Sequence, residues 1–156
     1  MMTMLQKSKY DINIVQGDAN EYDVKSVSGS QLALTSPEYF YSDQRGSGGT
    51  LYFNPNSSKG GINTIGSRTR PPYVGLAHEL GHALSGILGV KNNAMISYGS
   101  ESFKKDEHFA SHIENIVRAQ KNEPLRKYYA RTRNNQGVHK LIDGTKSIYF
   151  NNYEYK

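Results

Sequence analysis

His78-Glu79-Leu80-Gly81-His82 is the stretch of this chain whose residue types and spacing best suit chemistry. Two His four apart on a helix project from one face about one turn apart. Both imidazoles can therefore meet on one Zn²⁺ at roughly 2.0–2.1 Å. Glu79 is offset from that face, so it misses the coordination sphere but reaches a water on the metal. That is the geometry of a general base in metal-assisted hydrolysis. With five His and eight Glu among 156 residues, about 0.008 such matches are expected by chance, and a motif this short needs a helical context to carry weight.

A catalytic zinc needs a third protein ligand and an open fourth position. The chain contains no Cys, so only His and carboxylates can serve. Lys105 to Asn115 is the densest supply. Glu107 and Glu114 are seven residues apart on one helix face, and either could reach a metal held by the preceding helix. Glu107 is taken as the ligand. Glu114 then orients a ligand or the substrate, or pairs with Arg118 at i, i+4. Asp106 is expected to point elsewhere. His108 and His112 repeat the four-residue spacing, but they border an apolar stripe and lack a companion like Glu79. They read as structural or solvated. Hydrolysis also needs a donor for the oxyanion of the tetrahedral intermediate. Arg126, Tyr128 and Tyr129 can all donate to oxygen at neutral pH.

Several elements must position these groups. Val74 to Leu88 has helical period, with Leu76, Ala77, Leu80, Ala83, Leu84, Ile87 and Leu88 on one broad face and His78 and His82 at its margin. Pro71-Pro72 suits its entry, and Gly86 and Gly89 supply stop signals. Lys105 to Gln120 is a second helix. It carries an apolar stripe of Phe109, Ala110, Ile113, Ile116 and Val117, with Glu107, Ser111, Glu114 and Arg118 opposite. Pro124 can open a third helix running to about Thr132. Strand patterns occur at Tyr10–Val15, Gln31–Thr35 and Thr50–Phe53, the last stopped by Asn54-Pro55. Residues 56–72 read as a loop, as does the segment through Tyr98-Gly99-Ser100. The tail reads as a hairpin of Val138–Ile142 and Lys146–Asn151 around Asp143-Gly144. Strands, then helices, then a hairpin favour an α+β fold.

Composition narrows the field further. A length of 156 residues points to one domain spanning 1–156. Ala, Val, Ile, Leu, Met, Phe and Gly supply 59 residues, or 38%, against roughly 45–50% for typical domains. That implies a small core with much loop, yet too many apolar residues for a disordered chain. No apolar run approaches the ~18 residues of a membrane span. Met1 to Lys9 lacks the apolar stretch of a standard secretory signal. The net charge of +5 includes a local group of Arg118, Lys121, Arg126, Lys127, Arg131 and Arg133, which suits an acidic partner or solubility.

His78 to His82, Glu107-His-Phe-Ala110 with Glu114-Asn115-Ile-Val-Arg118, and Glu123-Pro-Leu-Arg126-Lys-Tyr128 together resemble the bacterial effector zinc metallopeptidases of the non-LEE-encoded effector D type. Related domains also form toxin tips of larger secreted bacterial proteins. The resembling stretch runs from about Leu51 to Tyr129. Gly49 to Pro55 resembles the strand and turn before the catalytic helix in that family. The resemblance implies a compact zincin-like α+β fold, one catalytic zinc and a target-cell protein as substrate. It also implies a secreted effector or toxin that leaves by a route without a standard signal peptide and acts in the target-cell cytoplasm. Arg126-x-x-Tyr129 is similar to an Arg-x-x-Tyr pair of clostridial neurotoxin light chains, in which both residues assist the transition state.

The expectation is therefore a monomeric zinc endopeptidase. His78, His82 and Glu107 hold the metal, Glu79 is the general base, and Arg126 or Tyr129 stabilises the oxyanion. The substrate is expected as an extended strand added to Leu51–Phe53. A cognate inhibitor or immunity protein would be a further partner; membrane is not expected. One rival is a binding module whose zinc is structural, closed by His108 or His112. Another is a nucleic-acid binder using Arg118 to Arg133, for which no recognisable nucleic-acid motif is present.

Overall fold

The structure is a computed structural model that describes residues 5–24, 46–98, 101–132, 134 and 136–156. Among the described residues it is mixed α+β, with two long helices and several small sheets. Strands β1 (Ile12–Gln16), β2 (Glu21–Val24) and β3 (Gly49–Phe53) form the first sheet in the order β1-β3-β2. β1 runs parallel to β3, with Ile14 opposite Leu51, and β2 runs antiparallel, with Tyr22 opposite Leu51. Leu51 is fully buried and packs with Tyr22, Leu80 and Ala83. At β1 only Ile12 reaches this cluster, and Ile14 is exposed. The expected strand at Gln31–Thr35 lies outside the described residues.

β3 is the central strand, with both edges already paired. It cannot accept a substrate strand, which corrects the expectation for Leu51–Phe53.

Helix α1 (Pro72–Ile87) opens at Pro71-Pro72, whose fixed φ suits the first turn. It closes in a Schellman motif. Gly89 takes φ 68, its N–H donates to Gly86 O, and the Val90 N–H donates to Ser85 O at 3.0 Å. The helix is buried nearly all round, so His78 and His82 lie inside the protein instead of at a margin. The face opposite the sheet packs on helix α2 (Asp106–Gln120). A Cβ on Gly81 would stand 2.7 Å from the Ala110 Cα, so only glycine permits this approach of the two helices.

Strands β4 (Met95–Tyr98) and β5 (Glu101–Lys104) pair as a hairpin between the helices, where a plain loop was expected. The expected third helix from Pro124 to Thr132 is absent. Residues 121–127 are turn and extended chain, followed by β6 (Tyr128–Arg131). Tertiary partners account for this. The Asn115 carboxamide takes both the N–H (2.7 Å) and the carbonyl (3.0 Å) of Arg126. The N–H groups of Lys127 and Tyr128 donate to Ile62 O. A backbone satisfied in this way has no need of helical bonds.

β7 (Gly137–Lys140) pairs with β6, drawing Val138 out of the expected terminal hairpin. That hairpin is shorter than expected: β8 (Ile142–Asp143) against β9 (Lys146–Ser147), with Gly144 at φ 56 in the turn. Leu125, Leu141, Ile142 and Tyr155 build a second core cluster, joined by Ile116 of α2.

Candidate metal centre

α1 presents His78 and His82 with ring centroids 4.9 Å apart, edge to face. The first turn of α2 brings Glu107 against them. Its Oε2 lies 3.1 Å from His78 Nε2, and its Oε1 lies 3.4 Å from His82 Nε2. His78, His82 and Glu107 form a group able to hold a metal ion, with all ligand atoms within 4.8 Å of one another.

The outer nitrogens decide how well this group suits a cation. His78 Nδ1 lies 3.1 Å from Glu114 Oε2, and His82 Nδ1 lies 2.6 Å from Asp106 Oδ2. Each Nδ1–H thus donates to a carboxylate, leaving both Nε2 lone pairs aimed at the Glu107 oxygens. Lone pairs facing a carboxylate need a proton or a metal between them. Carboxylates behind ligating imidazoles fix tautomer and ring orientation in just this way.

Charge behind the ligands is closely balanced. Glu114 is fully buried and receives Arg126 Nη1 at 2.9 Å, Arg118 Nη2 at 2.9 Å and Arg70 Nη1 at 3.5 Å. Burial opposes its ionisation, but Arg126, His78 and Arg118 outweigh that and hold the carboxyl well below the usual range. Lys91 Nζ lies 2.9 Å from Asp106. Burial opposes the ionised form there too, and His82 and Lys91 pull the carboxyl below its ordinary value. Glu107 is likewise depressed: burial works against its charge, and the two imidazoles prevail.

The centre lies at the floor of a cleft of about 700 Å³ lined by Glu79, Arg126 and Tyr129 among others. Glu79 is buried and forms no ion pair among the described residues. The alternation of β6 separates its two tyrosines, because neighbouring side chains on a strand face opposite ways. Tyr129 lines the cleft, and Tyr128 packs over Gly137 instead. Burial raises the Tyr129 phenol, and Glu107 beside it raises it further, so the hydroxyl keeps its proton. The Arg126 guanidinium lies over the Tyr129 ring at 4.9 Å. Its Nε donates to Tyr128 O at 3.4 Å, its Nη2 to Tyr129 O at 3.1 Å, and its Nη1 to Glu114.

His108 and His112 do not join the group. His108 Nε2 meets His139 Nε2 at 2.5 Å, and His112 Nδ1 meets the Tyr155 hydroxyl at 2.8 Å. Burial and His139 push His108 down to about 4. Of the basic stretch, Arg118 and Arg126 are buried on Glu114 and add no surface charge; Arg133 lies outside the described residues. Leu51, Tyr52 and Phe53 are not among the residues lining the cleft; Asn20, Glu21 and Tyr22 of the β2 side are.

No family model matches this chain, and no curated protein or solved structure matches it.

Sequence reasoning missed three residues. Asp106 does point away from the metal position, but onto the outer nitrogen of His82. Lys91 and Arg70 come from loops with no motif.

Proposed function

We propose that this chain is a zinc-dependent endopeptidase with a zincin-like arrangement, and that it works as a secreted bacterial effector or toxin domain on a target-cell protein. The observation that carries the proposal is the convergence of His78 Nε2, His82 Nε2 and Glu107 beside Glu79 in an open cleft. Two imidazoles and one carboxylate are a donor set of catalytic zinc sites, which keep a fourth position open. A zinc ion held there supplies Lewis acidity toward the scissile carbonyl and the attacking water.

The chain's own residues do the rest. Glu79 takes the proton of the attacking water and passes it to the leaving amine. The protonated Tyr129 hydroxyl donates to the developing oxyanion. Arg126 has its three nitrogens engaged by Glu114 and by the carbonyls of Tyr128 and Tyr129, so it positions Tyr129 and backs His78. An extended substrate can pair with the outer edge of β2, which has one strand partner among the described residues and adjoins the cleft.

The test is metal content by plasma mass spectrometry on untagged wild type, Glu79→Ala and His82→Ala, followed by cleavage assays. About one zinc in wild type and Glu79→Ala, none in His82→Ala, and proteolysis only by wild type is the expected result. Wild-type cleavage by Glu79→Ala would sink the mechanism. Absence of zinc after reconstitution would sink the metal assignment.

A further inference from the structure

The charges around the cleft fall into two layers. The inner layer is paired. Asp106 takes Lys91, and Glu114 takes Arg70, Arg118 and Arg126. Glu79 and Glu107 complete it, so its side chains supply four cations and four carboxylates, to which a bound zinc or a protonated His82 would add positive charge. The outer layer does not cancel. Lys59, Arg68 and Lys104 line the same cleft, are exposed, and make no ion pair among the described residues. Lys59 and Arg68 come from two adjoining chain segments: Lys59 pairs with Thr69, and the Gly60 N–H donates to Arg68 O at 2.8 Å. Lys104 ends β5, three residues before Glu107. Glu21 is the one exposed carboxylate among the lining residues.

We propose that the cleft selects extended peptide segments rich in Asp and Glu, gripped by Lys59, Arg68 and Lys104 on either side of the reacting bond. The inference rests on the peptidase reading for its choice of a peptide over another polyanion. Unpaired cations lining a concave surface focus the field and raise the local concentration of an anionic ligand. A Lys-rich or Arg-rich segment would meet the same three charges as repulsion, and like-charge contact is how a cleft rejects wrong partners. Glu107 and Glu79 do not spoil the grip, because Glu107 faces His78 and His82, Glu79 is buried, and the four inner cations, with any bound zinc, offset the inner carboxylates.

The experiment uses the zinc-loaded full chain carrying Glu79→Gln, so that bound peptide persists. The probes are a fluorescent peptide of about twelve residues alternating Asp or Glu with apolar residues, its counterpart with Lys in place of every acid, and an oligothymidylate of similar length. Anisotropy at low salt should show the acidic peptide binding about tenfold or more tighter than the basic one. The preference should collapse in Lys59→Ala/Arg68→Ala/Lys104→Ala and shrink at high salt, as exposed charges do. Equal binding of the two peptides, no binding of the acidic one, tighter binding of the oligonucleotide, or a preference kept by the triple variant would each overturn the proposal. Cleavage of the same peptides by the wild type separates the two readings. Cleavage without charge preference leaves the peptidase and removes the selectivity. Selective binding without cleavage by wild type does the reverse.

Discussion

Glu114 Oε2 lies 3.1 Å from His78 Nδ1 and 2.9 Å from Arg126 Nη1, so one buried carboxylate orients a candidate ligand imidazole and anchors the strand that carries Tyr129. Its two jobs separate in substitutions. Glu114→Gln keeps the shape but weakens the hold on the Nδ1 proton, and zinc affinity should fall about 10–100-fold. Glu114→Ala also strands Arg118 and Arg126 in the interior, which costs about 3–5 kcal/mol of stability. A chelator-dye competition reads the first effect and urea denaturation the second. Unchanged zinc affinity in Glu114→Gln would remove Glu114 from the site.

Gly81 sits inside the metal motif but acts through packing. Its missing Cβ lets Ala110 approach, with the Ala110 O and the Ile113 Cβ each 3.3 Å from where that Cβ would lie. Gly81→Ala must push α2 away, and Glu107 moves with α2. Loss of about 1–3 kcal/mol from overpacking should come with weaker zinc binding, even though alanine favours helix. A variant with raised Tm and intact zinc affinity would show that the helices yield without moving Glu107.

Tyr128 and Tyr129 differ in which side of β6 they face. Tyr129→Phe removes the hydroxyl in the cleft and should lower kcat about 10²–10³-fold with little change in KM. Tyr128→Phe should leave both constants near wild type. The reverse pattern would transfer the donor role to Tyr128.

The two helices were legible because their periodicity is strong, and α1 also carries Pro71-Pro72 and Gly89 at its ends. Periodicity alone does not reveal that the polar stripe of α2 is buried. Glu107, Ser111, Glu114 and Arg118 look like a solvated face, yet Ser111, Glu114 and Arg118 are buried. Hydrophobic period finds faces that bury apolar surface; it is silent on a face whose charges are buried against partners from other elements. The same blindness produced the false third helix. Pro124 is a fair helix opener, but Asn115 and Ile62 supply the backbone partners that hold residues 126–128 extended. The resemblance in sequence covered the proposed ligands, the proposed base and Arg126-x-x-Tyr129. It could not reveal Lys91 or Arg70, whose roles exist only once the loops are folded.

Proton linkage gives the last prediction. In metal-free protein, burial pushes His82 down, but hydrogen bonds to Asp106 and Glu107 outweigh it and raise the imidazole to about 9. The folded value exceeds the ordinary 6.5, so the group contributes stability that is full below 6.5 and lost as pH rises through about 9. Glu107 and Glu114 act in the opposite sense. Their depressed carboxyls contribute stability present above the usual 4.5 and lost as pH falls. The chelator-treated protein should therefore melt highest between those two limits and lose Tm steadily toward pH 9. Zinc must displace the His82 proton, so its affinity should fall with pH below 9, by about tenfold per pH unit for one proton. Calorimetry in two buffers of different ionisation enthalpy should find about one proton released per zinc at pH 7. A Tm of the metal-free protein that climbs from pH 6.5 to 9, or zinc binding with no proton release, would show that His82 is neutral before the metal arrives.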